Sequence, residues 1–351
     1  MIKDIAVLIH GISPQKKAGD PTTHLREFFN ELRQHSQHIQ SRFKDEQLIF
    51  IQWGHPSDED PSAASSDQRI YFAQQQILVR LNSIPLPANP NDRGPLSRAV
   101  LARTLHNEIL ISGFGDVVYF VGSQGYGKIV GIVLDQVRKR IDALVASGYL
   151  DMNDQIRLHL IGHSLGVTIG FEFLLSIFSD AQYVSSYFAQ KDDETSVSEG
   201  SLNRALSFQM TSVTAQENVE FYSRWRQRFI FGSFIATASQ LPLLLQRRQV
   251  VIDSLANEQQ LDPRIIGITG DPRYRWLLFH DPRDLLSFNT KILFSDEDSI
   301  VETEVQNKVD ATLLDVGKKF SQTHENYRFN EIVKKMALEQ LLLATDHIIS
   351  D

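Results

Sequence analysis

The chain has no cysteine among its 351 residues. That excludes a thiol nucleophile, a thiolate-held metal and a disulfide scaffold, and it fits a compartment that keeps thiols reduced, so a cytoplasmic location is expected. An excess of positive charge is also missing. The 43 acidic residues outnumber the 35 basic ones and leave a formal net charge of -8, the wrong sign for holding a phosphate backbone, so no nucleic-acid partner is expected. Long apolar runs are missing too. The best candidate, Phe229 to Leu245, is flanked by Arg226, Arg228, Arg247 and Arg248 but broken by Gly232, Ser233, Thr237, Ser239, Gln240 and Pro242. It reads as a buried strand and a turn, and no transmembrane segment is expected, although peripheral contact with a membrane stays open. The first ten residues carry a short apolar run interrupted by Asp4, with no small-residue cleavage site. They are expected to begin the first strand directly and not to form a signal peptide. No helix face shows His-x-x-x-His or a comparable carboxylate cluster, and no metal or other cofactor is expected.

What is present is an alternation of strand and helix patterns. Ile5 to Ile9 is a continuous apolar run suited to a strand buried on both faces. Residues 21–38 read as a helix capped by Thr22 or Thr23, with Leu25, Phe28, Phe29 and Leu32 on one face. Gln47 to Trp53 reads as a second strand. Residues 55–68 form a polar loop, 69–82 a short helix, 84–97 a proline-rich connector and Asp116 to Val121 another strand. A helix is expected from Lys128 to Ala146, with Val130, Val133, Leu134, Val137, Ile141 and Leu144 at helical spacing and Gly148 ending it. Strands follow at Ile156 to Ile161, Phe229 to Thr237 and Arg275 to Phe279, with helices through Ser179 and from Asn330 to His347; Lys191 to Ser201 is a polar, acidic loop. The fold class is therefore α/β, a mainly parallel sheet with helices on both faces.

The chemistry centres on Gly162-His163-Ser164-Leu165-Gly166, placed between the apolar strand ending at Ile161 and a helix. Gly-x-Ser-x-Gly in that setting is a nucleophile elbow. The serine sits in a strained turn, and the residues two before and two after must be small so that strand and helix can approach. Gly and Ser are common, so the pentapeptide alone says little; its placement says much more. The acid of such a site follows a late strand, and Arg275 to Phe279 is followed by Asp281 and Asp284. Asp284, ahead of Leu-Leu-Ser, is the first choice and Asp281 the alternative. The base comes last in the chain, and His324 is the histidine placed before the final helix. The backbone N–H groups of Ile12, after the first strand, and Leu165 are the candidate oxyanion donors. His10 reads as structural.

These residues resemble the α/β-hydrolase superfamily, in its lipase/esterase-like branch, from Ile5 to the last helix. The resemblance implies an α/β-hydrolase fold as a single domain over 1–351, a Ser164–His324–Asp284 triad, and cleavage of a small-molecule or lipid ester through an acyl-enzyme. It also makes 55–107 and 180–228 insertions of the cap type. Phe188, Phe208, Met210, Phe221, Tyr222 and Trp225 in the second one either line an acyl pocket or bury that insertion against the sheet. Ala238-Ser239-Gln240 stands where such lipases usually have Gly-Ser-Pro, and the first loop departs from His-Gly-Gly-Gly. Thioesterase and lipid-deacylase activities share the same triad, and a catalytically inactive binding or scaffold protein is the rival class. A second rival, a phosphate-binding loop at Gly122 to Lys128, lacks the Ser or Thr that should follow the lysine.

Overall fold

Short apolar runs whose residues are buried on alternate sides need a sheet covered on both faces. The computed structural model, which describes residues 1–11, 22–53, 123–178, 212–245, 260–295, 298–309 and 322–345, with backbone only at 123–128 and 212–215, contains such a sheet. Its strands are β1 (Ile2–Ile9), β2 (Leu48–Ile51), β3 (Gln155–His163), β4 (Phe229–Thr237), β5 (Trp276–His280) and β6 (Ile300–Glu304). They pair in the order β2-β1-β3-β4-β5-β6, and every pairing is parallel. The expected segments at 55–68, 69–82, 84–97, 116–121 and 191–201 lie outside the described residues.

Odd-numbered β1 residues Ile5, Val7 and Ile9 face one core and Ala6 and Leu8 the other. The first core is closed by α3 (Ser123–Ala146), α4 (Leu165–Phe178) and α5 (Ser212–Trp225); the second by α1 (Thr23–His35), α2 (Gln37–Arg42) and α7 (Glu331–Thr345), a short α6 (Leu241–Leu245) following β4. The apolar positions read from the α3 sequence are all buried in the first core, and Gly148, at φ 75, ends that helix. Because α3 already begins at Ser123, the glycine-rich stretch up to Lys128 is helical backbone and not a phosphate-cradling loop. Among the described residues no helix is long and apolar enough to cross a membrane.

Two sequence expectations are corrected. The helix expected over 21–38 is two helices, because Ser36 is extended at φ -149 and its side chain accepts the Ile39 N–H, starting α2 afresh. Thr22 occupies the cap position of α1 but makes no capping bond; its hydroxyl accepts Arg26 Nε at 3.1 Å instead. The described part of the 180–228 insertion is also informative. Phe221, Tyr222 and Trp225 are buried in the first core, and Tyr222 donates its hydroxyl to the Leu134 carbonyl of α3 at 2.8 Å. They cement a helix onto the sheet layer. Phe188, Phe208 and Met210 lie outside the described residues.

β4 changes phase part-way. Phe229 and Phe231, then Phe234 and Ala236, all face the first core, which a strict two-residue period forbids. The pairing explains it: Leu158 faces Phe231 and His159 faces Ser233, so Gly232 is the extra residue of a bulge. On the other side of the sheet lies a buried polar group. Arg157 Nε donates to Asp4 Oδ1 at 2.6 Å, His159 Nε2 lies 3.1 Å from the same oxygen, and His159 Nδ1 is 2.9 Å from Ser233 Oγ. Burial alone would raise the Asp4 carboxyl, but hydrogen bonds and charge interactions, with His159 first and then Arg157, outweigh it and bring it down to about 2. Burial holds the His159 imidazole below its ordinary value, against the hydrogen bond and charge of Asp4.

Asp4 therefore contributes stability that is complete above its unfolded value of 3.8 and is lost as pH falls toward about 2. Asp4→Asn leaves the Arg157 charge buried without its counter-ion, and a loss of about 3–5 kcal/mol in urea denaturation at pH 7 is expected. The variant should also lose stability less steeply than the wild type between about pH 4 and pH 2. A loss under about 0.5 kcal/mol would show that the pair carries no weight.

Candidate active site

The sheet order sets where a site belongs. β2 lies on one side of β1 and β3 on the other, so the winding reverses between β1 and β3, and the crevice outside their carboxyl ends is where open α/β sheets bind ligands. Ser164 follows β3 at that point. It has φ 56, and Ser164 and Ala238 are the only non-glycine residues with positive φ among those described. Such a conformation costs on the order of 1–2 kcal/mol. The cause of the bend is the close approach of α4 to β1. A Cβ on Gly166 would collide with the Ile9 carbonyl oxygen and come within 2.6 Å of that of His10, and one on Gly162 would sit 3.0 Å from Val167 Cα. Gly11 is equally confined, with Ser164 Cβ 2.7 Å from where its own Cβ would be.

The structure brings Ser164, Asp284 and His324 into one hydrogen-bonded line. His324 Nε2 is 2.9 Å from Ser164 Oγ, and its Nδ1 is 2.9 and 3.1 Å from Asp284 Oδ2 and Oδ1. A carboxylate only accepts, so Nδ1 carries the proton and Nε2 is left as the acceptor for the serine hydroxyl. Asp284 is buried and its carboxylate is filled with donors: besides His324 it takes the Leu286 N–H at 3.0 Å and the Tyr327 hydroxyl at 3.2 Å.

Asp281 is placed differently. Its carboxylate accepts from Arg283 Nε at 3.0 Å and from the backbone N–H groups of Arg283 and Asn307 at 2.9 and 2.7 Å. Burial raises this carboxyl, yet the hydrogen bonds and charge of Arg283, with the Asn307 N–H, leave it below its ordinary value. Asn307 Nδ2 then donates to the Thr323 carbonyl at 2.8 Å. Asp281 thus braces the segment that ends in His324. Tyr327 joins the two acids, accepting the Asp281 N–H at 2.7 Å while donating to Asp284; burial first, then the Asp284 charge, pushes its phenol far above the ordinary range.

The Leu165 N–H opens α4 and is one of the amides a helix leaves without an intrahelical partner. Ile12 lies outside the described residues. His10 stacks on Trp53 with ring centroids 5.1 Å apart, and Trp53 Nε1 donates to its carbonyl at 2.8 Å. His163, in the middle of the pentapeptide, has its Nδ1 3.0 Å from Thr237 Oγ1 and its ring 4.9 Å from that of His324. Burial, reinforced by His324 and His24, keeps it well below the ordinary histidine value, so it adds no charge beside His324. His159 is spent on Asp4, and His38 lies 3.0 Å from Thr345 Oγ1. Among the described residues no cluster of His, Asp and Glu has the arrangement of a metal site.

No family model, no curated protein and no solved structure matches this chain. The site is therefore argued from its own geometry. One residue of it carried no functional reading in the sequence: Gln240, buried at 3% exposure, whose Nε2 is 3.0 Å from Ser164 Oγ. The only signal was negative, a Gln where the lipases that the sequence resembles usually have proline.

Tyr327→Phe removes one donor from Asp284 and leaves the buried Asp281 N–H without its acceptor. A loss of about 1–3 kcal/mol in urea denaturation is expected. Wild-type stability in the variant would mean that the phenol holds neither acid.

Proposed function

We propose that the protein is a serine hydrolase of the α/β-hydrolase type that cleaves carboxylic esters through an acyl-enzyme on Ser164. The observation that carries this reading is the Asp284–His324–Ser164 line, with 2.9 Å at each step, at the end of a left-handed turn. Nucleophile and base within hydrogen-bond reach, and the base oriented by a buried carboxylate, are what an activated serine requires. The all-parallel sheet and the position of Ser164 at its switch point support the fold assignment.

In the proposed mechanism His324 takes the Ser164 proton as Oγ attacks the ester carbonyl. The carbonyl oxygen becomes negative and is bound by backbone N–H groups, that of Leu165 among them. His324 then protonates the departing alcohol, Asp284 offsets the imidazolium charge, and water repeats the sequence to release the acid. The inactive-scaffold reading gains nothing from this geometry, since a scaffold needs neither the strained serine nor a histidine and a buried carboxylate aligned on it. Thioesters and lipid acyl groups meet the same atoms, so the carboxylic acyl class is the level at which the geometry speaks.

Wild-type protein is expected to react covalently with a fluorophosphonate probe and to hydrolyse p-nitrophenyl esters. Ser164→Ala should lose labelling and about a millionfold in turnover. Asp284→Asn should lose about ten-thousandfold, whereas Asp281→Asn should keep most of the labelling and unfold at lower urea. Equal labelling of wild type and Ser164→Ala would end the assignment. A larger turnover loss in Asp281→Asn than in Asp284→Asn would move the acid to Asp281.

A further inference from the structure

The reaction proposed above turns on one oxygen, Ser164 Oγ, and two side chains converge there, not His324 alone. His324 Nε2 lies 2.9 Å away and Gln240 Nε2 lies 3.0 Å away. The direction of the second bond follows from the first. Nδ1–H of His324 is committed to Asp284, so Nε2 can only accept, and the serine proton points at it. The remaining lone pairs of Oγ can only accept, so the Gln240 side chain presents its NH₂ group to Ser164. Reversing the amide would set its oxygen against lone pairs with no proton between them.

Gln240 is also held in place at a cost. Ala238, two residues earlier, adopts φ 55, a conformation that favours glycine, and is fully buried. Its N–H donates to the Phe279 carbonyl at 3.1 Å, and the Ser239 carbonyl accepts the Phe288 N–H at 2.9 Å. Ser239 Oγ accepts the Thr290 hydroxyl at 2.8 Å. Thr290 and Lys291 are in turn fixed by N–H bonds to the Glu302 carboxylate on β6, at 3.1 and 2.9 Å. The Gln240 carbonyl accepts the Leu243 and Leu244 N–H groups, both at 3.1 Å. The strained turn thus aims a buried amide at the reacting oxygen, braced from two neighbouring strands.

We propose that Gln240 is a catalytic residue of this site: its amide N–H holds Ser164 Oγ in the orientation that donates to His324 and stabilises that oxygen whenever it carries negative charge. The inference rests on Ser164 being the nucleophile. During acylation the Oγ–H bond breaks, its proton passes to His324 Nε2, Oγ bonds to the carbonyl carbon and the carbonyl π pair moves onto the carbonyl oxygen. During deacylation Oγ leaves the tetrahedral carbon with the bonding pair and takes the proton back from His324. The neutral amide gives up no proton in either direction. It acts in both halves because Oγ bears partial negative charge in both.

The test uses Gln240→Met, similar in length with no donor, and Gln240→Glu, the same shape with a donor only when protonated. The Met variant is expected to lose about 10- to 100-fold in the second-order rate of fluorophosphonate labelling and in kcat for p-nitrophenyl acetate, with KM within about threefold. The Glu variant should be rescued on the acid side: the ratio of its kcat/KM to that of the wild type at the same pH should fall as the new carboxyl ionises. A residue that only packs the turn would move Tm and leave the shape of that profile alone. Labelling of the Met variant within twofold of wild type, or a Glu profile parallel to wild type, overturns the inference and leaves Ser164 as nucleophile. A wild type that does not label, or Ser164→Ala labelling as well as wild type, overturns the hydrolase reading and this inference with it.

Discussion

The approach of α4 to the end of β1 is tighter than any side chain would allow, and the geometry of the site follows from it. With Gly166 pressed onto the carbonyls of Ile9 and His10, the chain leaving β3 has one residue in which to turn upward, and Ser164 takes the left-handed conformation to do so. The strain is of the order of 1–2 kcal/mol. It is offset locally, because the Ser164 N–H donates to the Thr237 carbonyl at 2.9 Å and the Ser164 carbonyl accepts the Val167 N–H at 3.0 Å, each contributing about 1 kcal/mol. A serine so placed has its side chain fixed relative to the sheet before any partner is considered.

Thr237 carries the constraint one strand further. Its carbonyl holds the Ser164 amide, its hydroxyl lies 3.0 Å from His163 Nδ1, and the next residue is Ala238, the second left-handed residue. Strained backbone at the ends of adjacent parallel strands is therefore cross-linked. Moving the turn after β4 would move the turn after β3. The same coupling explains why an Ala is tolerated at Ala238, where glycine would be free of strain: the surrounding hydrogen bonds leave that segment no alternative path.

The acidic side of the site divides its work between two carboxylates three residues apart. Asp284 takes three donors, one of them His324, and Asp281 takes Arg283 and Asn307. Both are buried and both need full hydrogen-bond satisfaction, since an unpaired carboxylate there would cost several kcal/mol. Tyr327 donates to the Asp284 carboxylate while accepting the Asp281 backbone N–H, and it lies just beyond His324 in the chain. Asp284, His324, Asp281 and Tyr327 therefore form one connected polar network, in which loss of any member leaves another without its partner.

Much of this was legible in the sequence because it is local. The strand Phe229–Thr237 has the bounds its apolar pattern gives, α3 buries the residues its spacing names, and the residues chosen at Ser164, Asp284 and His324 meet in space. The break at Ser36 was hidden because apolar residues at helical spacing continue across it, from Leu32 to Ile39, while the interruption is a single backbone rotation. The choice between Asp281 and Asp284 was hidden because both follow β5, and what separates them, Asn307 and Tyr327, comes 26 and 46 residues after Asp281. Gln240 is the extreme case. It lies 76 residues from Ser164 in the chain, in a turn whose path is set by two other strands, and a glutamine has no spacing rule that would mark it. The departure from the Gly-Ser-Pro of the lipases that the sequence resembles was visible, but a departure does not say what the new residue touches. What Gln240 touches depends on where the strained turn aims the side chain, and that is fixed by the packing of the whole sheet edge.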